Sequence, residues 1–442
     1  MKGFTMFRRL LLIVSALSSL LMAQTHTYVL CEGNFNSLNS SLWSVNSNYT
    51  QVDGPIYWNQ SNNPLGDTGQ SLKIHNDKLY IVMNNSNTIE IADISNGFQY
   101  ETSINIPNAG PRDVEIVDNI AYVSCWYLNG ILCIDLQDYS FIDTLACNGL
   151  PEDLLFYNDK LYTSITMNPD WSSSDKVLEF DLSTGVPFVS NTFTVVTGPE
   201  ELLGFQGCIY VSSTYYDSNW NTYAGNSKID LSTGIVMMKN FGVSFSFGRD
   251  ITSLNEKVYR VYNNGICSLT DSLTMEPNGQ IGNYSSIYSM ASFDDQIYFG
   301  LSDYTAPDNV VIVDSNGNEI KIFQVGAIPG SFAFYESNSS SIDANNSTTL
   351  SDFELSQNYP NPFNGTTNIT IKIPESEHVT LSIYNSIGQH IVNLIDSKSA
   401  AGDYSIVWNG FNKSGIPVSN GIYFAILKTA HQCSRIKMLY LK

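Results

Sequence analysis

Histidine is scarce in this 442-residue chain: of five copies only His75 falls in the middle, with His26 near the start and three in the last ninety residues. Metal and nucleophile sites draw heavily on His, and no HExxH, GxSxG or P-loop phrase is present, which argues against the common hydrolase and nucleotide sites. Basic charge is short as well. Lys and Arg number 21 against 42 Asp and Glu, a formal charge of −21, and a surface of that sign repels nucleic acid and anionic lipid. No apolar run reaches the ~18 residues needed to cross a bilayer as a helix. Residues 10–22 follow Lys2, Arg8 and Arg9 and end before Ala23, the pattern of a secretory signal peptide over residues 1–23. Seven cysteines (31, 125, 133, 147, 208, 267, 433) show no CxxC spacing and an odd count. Most sit in runs such as ILCIDL, where they read as small core hydrophobes with one or two disulfides left open.

What is present is repetition. NDKLY occurs at residues 76–80 and 158–162, and DLSTG at 181–185 and 230–234. Aligning on the aromatic gives Tyr80, Tyr122, Tyr162, Tyr210, Tyr259 and Tyr298, and a looser copy begins at Tyr28. Each unit of about 40–50 residues holds four short alternating runs between Asn, Asp and Gly turns, the signature of a propeller blade. Asn129-Gly130 predicts a type I′ hairpin. The Asp ending the third run of a unit (Asp93, Asp135, Asp181, Asp230, Asp314) predicts a turn that bonds the amide two residues on. DSNGNE at 314–319 reads as an Asn316-Gly317 hairpin rather than a calcium loop, lacking the Gly and Glu such a loop needs. The first unit has three runs, and SFAFYE (331–336) is left over, so it is expected to complete the first blade. These phrases resemble the YVTN-type β-propeller repeats of exported and surface-layer proteins. The expected fold is all-β: a seven-bladed β-propeller over residues 24–336, a Ser/Asn/Thr-rich linker over 337–352, and a small Ig-like β-sandwich over 353–442.

In a propeller, the loop entering each inner strand and the hairpin between second and third strands emerge on one side. The entering loops supply Arg112, Asp113, Glu152, Asp153, Glu200, Glu201, Arg249 and Asp250; the hairpins supply Trp126, Tyr127, Trp171, Trp220, Tyr223 and Tyr304. Aromatics around carboxylates suit glycan, peptide or protein ligands. Crowded carboxylates require a bound cation such as calcium, an Arg partner or a raised pKa. The plainer alternative is that the arginines neutralise the ring and the aromatics pack their own loops. A cation-assisted lactonase or lyase using Glu152, Glu200 and Asp250 is the enzymatic alternative. No cofactor is called for and no metal-ligand motif is found.

The last ninety residues alternate in TNITIKI, HVTLSIY, QHIVNLI, YSIVWNG and IYFAILK, a small sandwich with Trp408 as its anchor. Their wording closely resembles the C-terminal sorting domain of the type IX secretion system. The landmarks are Tyr359-Pro360-Asn361-Pro362-Phe363, Gly388, Trp408, Gly421, Tyr423 and Lys437; Asn420 and Tyr440 depart from the usual pattern. The resemblance implies two partners, the inner-membrane secretion machinery and the type IX outer-membrane translocon. It also implies a destination, either the medium or the outer surface of a bacterial cell.

Overall fold

The computed structural model describes residues 25–57, 64–95, 97–183, 186–244, 246–336, 354–356, 358, 360–373, 376–385, 390–413, 415–429 and 433–441. The signal-peptide and linker readings lie outside the described residues. The chain divides into two compact units, residues 1–339 and 340–442.

Among the described residues, the first unit holds seven four-stranded antiparallel sheets. Their first strands are Gly69–His75, Pro111–Val117, Leu150–Tyr157, Pro199–Phe205, Phe247–Leu254, Ile287–Phe293 and Pro329–Glu336. Each of these lies beside the first strand of the next sheet, and the series closes on itself from Pro329–Glu336 to Gly69–His75. The closing strand comes from the far end of the unit. Pro329–Glu336 pairs antiparallel with Thr25–Cys31, His26 opposite Tyr335 and Leu30 opposite Ser331, as the leftover SFAFYE predicts.

Local chemistry explains the repeat phrases. In NDKLY the Asn-Asp pair has positive φ at both residues (48° and 58° at Asn76-Asp77, 49° and 60° at Asn158-Asp159), the conformation of a two-residue type I′ turn. The aligned tyrosines all fall in second strands, and six of the seven are buried, Tyr210 being half-buried beneath Lys228. Each Asp ending a third strand accepts the amide two residues on, as expected: Asp93, Asp135, Asp181, Asp230 and Asp314 do so at 2.8–2.9 Å. Asn316-Gly317 is the turn expected there, with Gly317 at φ 84°. The type I′ expectation at Asn129-Gly130 fails. Only Asn129 is left-handed (φ 50°), and its amide bonds Trp126 O at 3.1 Å, so the loop is a four-residue turn. Gly130 serves close approach instead: a Cβ there would lie 2.5 Å from Leu145 O.

The core lies between neighbouring sheets. Tyr80, Val82, Ile89 and Ile91 of one face Val114, Ile116 and Val123 of the next. Val29 and Val45 pack against Tyr298, Val310 and Ile312 of the sheet that begins at Ile287–Phe293. Burying each such side chain stabilises by about 1.5–3 kcal/mol. Six described cysteines are unpaired thiols, five of them buried; burial pushes Cys31, Cys125, Cys133 and Cys147 up to about 12. They are core hydrophobes, as read from the sequence.

The second unit is a two-sheet sandwich. Glu354–Leu355, Thr367–Ile373 and Gly402–Trp408 form one sheet; His390–Ser399, Glu377–Asn385, Gly421–Lys428 and Cys433–Tyr440 form the other. Trp408 is 1% exposed among Ile369, Ile371, Leu381, Ala425 and Met438. Phe363 enters this core, its ring 5.5 Å from Trp408 and 4.9 Å from Tyr440. Its backbone also bonds the last strand, N–H to Leu439 O and C=O from Leu441 N–H. Asn361 adds two bonds to the same strand, donating to Lys437 O and accepting from Leu439 N–H. Tyr440, the departure from the sorting-domain pattern, is accommodated by Gly410, where a Cβ would come within 3.0 Å of its ring.

Candidate functional site

The first strands of the first unit open on one repeated triplet: Pro111-Arg112-Asp113, Pro151-Glu152-Asp153, Pro199-Glu200-Glu201, Gly248-Arg249-Asp250 and Pro329-Gly330-Ser331. First strands of neighbouring sheets share no ladder, so the third residue bridges them. Asp113 accepts Leu154 N–H (3.0 Å), Asp153 accepts Leu202 N–H (2.6 Å), and Asp250 accepts Met290 N–H. Second-strand serines reinforce the joint. Ser124 accepts Asp113 N–H (2.9 Å) and donates to Glu152 O (2.6 Å); Ser164 does the same between Asp153 N–H (3.1 Å) and Glu200 O (2.6 Å). These carboxylates are therefore clasps, since buried amides left without partners would cost about 1–3 kcal/mol each.

Four of the five second residues, Arg112, Glu152, Arg249 and Gly330, line a central space with two cavities. The outer one, about 410 Å³, is lined by Phe35, Trp126, Tyr127, Trp171 and Tyr288 as aromatics and by Glu32, Gln70, Asn84, Arg112 and Arg249 as polar groups. The inner one, about 200 Å³, is lined by Asp113, Glu152, Asp153, Glu201 and Asp250. Gln70, Arg112 and Arg249 line both. Arg112 uses all three of its nitrogens: Nε and Nη2 grip Glu152 at 2.9 and 2.5 Å, Nη1 donates to Gln70 Oε1 at 2.8 Å, and the guanidinium lies 4.3 Å over the Trp126 ring. Trp126 meets Trp171 edge to face at 5.9 Å. Arg249 is looser, with Nε 3.3 Å from Asp250 Oδ1 and 3.7 Å from Glu201 Oε1.

Electrostatics follow from this crowding. Burial pushes Glu201 up to about 8, against the pull of Arg249, and Asp250, Asp113 and Glu152 add to the rise. Burial likewise lifts Glu200 to about 7, opposed by Arg249 and Arg260. Asp153 is held well above the usual carboxylate range by burial and then by Glu201 and Asp113. Burial also raises Asp113, Asp250 and Glu32, Arg249 pulling the last two back. Burial works against the charge on Arg249, but Glu201, Asp250 and Glu32 outweigh it and keep the guanidinium firmly protonated. Among the described residues, no three of His, Cys, Asp and Glu converge on a point where they could hold a metal ion.

Of the residues singled out in the sequence, the structure gathers Arg112, Trp126, Trp171 and Arg249 at the outer cavity and Asp113, Glu152, Asp153, Glu201 and Asp250 at the inner one. Glu200 lines neither, and its Oε2 is buried without a partner. Trp220 also lines neither; it is 80% exposed at φ 62° beside Tyr216. Glu32, Gln70 and Tyr288 are among the cavity residues that escaped the sequence reading, as did the buried Arg260, which lines neither cavity. The triplet would have found Gln70 and Tyr288. Gly69-Gln70-Ser71 and Ile287-Tyr288-Ser289 occupy its place in their sheets, and Gly330 leaves a vacancy that Glu32 fills, its Oε1 lying 2.5 Å from where a Cβ would stand. Tyr288 OH donates to Glu32 Oε2 at 2.9 Å. Arg260 is wholly buried, donating to Gly248 O, Gly225 O, Asn226 Oδ1 and Ser213 O, and burial lowers it to about 10.

Residues 356–430 match the family model of the FlgD Ig-like domain. A protein from Bacteroides uniformis assigned as a 6-phosphogluconolactonase superposes with a TM-score of 0.53 at 12% identity, over 71% of this chain and 100% of that one. A functionally unknown protein from Desulfotomaculum acetoxidans gives 0.51 at 12% identity, over 70% and 99%. None of the curated proteins matches the sequence. The chain is an all-β protein carrying a β-propeller and a C-terminal Ig-like domain. At 12% identity the likeness speaks of fold alone.

Proposed function

We propose that this is an exported binding protein: a seven-bladed propeller that takes a glycan, peptide or protein ligand at its mouth. A signal peptide over residues 1–23 carries it across the inner membrane. Residues 353–442 then act as the type IX sorting domain, delivering it to the medium or the cell surface. The observation that carries the binding role is the outer cavity, where Trp126, Tyr127 and Trp171 wall a polar floor. Rigid aromatic area beside fixed hydrogen-bonding groups is what such ligands engage at small entropic cost. Screening the purified protein and its Trp126→Ala and Trp171→Ala variants on glycan and peptide arrays tests it. Ligands that bind the wild type and both variants equally, with the fold intact, would place the site elsewhere.

The sorting role draws support from the sandwich, where the Pro-Asn-Pro-Phe landmark and the strand that carries Lys437 meet in one place. Fusing residues 353–442 to a reporter in a host that has the secretion system tests it; a reporter that stays inside the outer membrane refutes it. The enzymatic reading has one observation in its favour, carboxyls at Glu200 and Glu201 lifted to about 7 and 8, a range suited to general acid-base work. Against it, Glu200 faces neither cavity and Asp250 is held in a clasp. Turnover of a sugar lactone that Glu201→Gln abolishes would favour it over binding alone.

A further inference from the structure

Resting on the reading of the mouth as a ligand site, we propose that its ligand is an acidic sugar. In this arrangement the sugar rings of a short oligosaccharide lie against Trp126, Tyr127 and Trp171 while a carboxylate pairs with Arg249. Two arginines line both cavities, and they differ in how their terminal nitrogens are used. Arg112 commits Nε, Nη1 and Nη2 to Glu152 and Gln70. Arg249 has only Nε engaged, by Asp250 and Glu201, and among the described residues its two terminal nitrogens donate no hydrogen bond. An open guanidinium fork matches a planar, bidentate acceptor. A carboxylate suits it better than a phosphate, because a second negative charge would face Glu32, Glu201 and Asp250 around one cation.

The rest of the mouth points to a sugar rather than a peptide terminus. Glu32 is 8% exposed and lines the outer cavity; Tyr288 donates to Oε2, and Oε1 has no partner. Gln70 spends Oε1 on Arg112, and among the described residues its amide nitrogen donates no hydrogen bond. A donor, an acceptor and a cation on the floor, with aromatic faces on the wall, read ring hydroxyls and a ring face together. The overall acidity of the protein does not forbid a singly charged ligand, since charges beyond about 8 Å are largely screened at physiological salt.

Isothermal titration of the purified protein tests this with galacturonate, glucuronate and mannuronate trisaccharides, each beside its methyl ester. At least one free acid is expected to bind about tenfold tighter than its ester, or more, and Arg249→Gln should erase that difference. Because Arg249→Gln leaves Glu201 and Asp250 without their cation, Trp171→Ala is measured alongside and should weaken acid and ester alike. Equal binding of acid and ester overturns the carboxylate assignment while leaving the mouth a sugar site. Tighter binding of a sugar phosphate, or binding of peptides and no sugar, overturns the acidic-sugar assignment but keeps a ligand at the mouth. No ligand of any kind, with circular dichroism unchanged, overturns the binding reading as well.

Discussion

The two units solve the same problem with opposite interiors. The sandwich closes around Trp408, Phe363, Tyr423 and a shell of aliphatic residues. The propeller keeps its aliphatic packing between sheets, lines its central cavities with Arg249, Glu32, Glu201 and Asp250, and buries Arg260 as well. Buried charge is weak evidence for stability and good evidence for a site. The contrast separates a unit specified to hold its shape from one that keeps polar groups in its interior.

Substitutions can break that contrast. Trp408→Ala should have the largest effect, about 3–5 kcal/mol, lowering the melting transition of the sandwich and leaving that of the propeller unmoved in calorimetry. Arg260→Ala should cost the propeller about 3 kcal/mol by stranding the oxygens of Ser213, Gly225, Gly248 and Asn226. A negligible change in denaturant midpoint would show that water replaces the guanidinium. Asp153→Ala should cost about 2 kcal/mol, since Leu202 N–H loses its acceptor; hydrogen exchange at Leu202 would report it directly.

The smallest effect is a pH dependence. The folded-state pKa values of Glu200 and Glu201 are raised, so the folded propeller binds more protons than the unfolded chain. Their contribution is present in full below the ordinary Glu value and is lost as pH rises through about 7 and 8. The propeller transition should therefore fall between pH 5 and pH 8.5, and Glu201→Gln should flatten the decline. A transition that climbs over that interval would refute the assignment.

Much of the fold was legible because it is written in repeats. The NDKLY turns, the aligned tyrosines and the Asp caps are local signals, each fixed by a few neighbouring residues. The mouth was legible in part. Arg112, Glu152 and Trp126 fall on the expected face, and Arg112 does neutralise Glu152, as the plainer alternative had it. Trp220 lies in the expected hairpin but lines neither cavity, and the reach of that loop follows its own turn, in which Asp217 accepts the amides of Asn219 and Asn221. Glu32 and Gly330 are nearly three hundred residues apart and meet only through ring closure, so no local pattern could pair them. Arg260 sits in an ordinary strand phrase, KVYRVY, where a charged residue at that place reads as surface.

The strand Pro329–Glu336 completes the sheet that begins at Thr25–Cys31, and this has a bearing on the order of assembly. The first sheet stays an open edge until the chain has been made almost to the end of the unit, and contacts that distant form slowly. The last strand to arrive lies immediately before residues 337–352, so the ring can be locked only when the sandwich is about to follow.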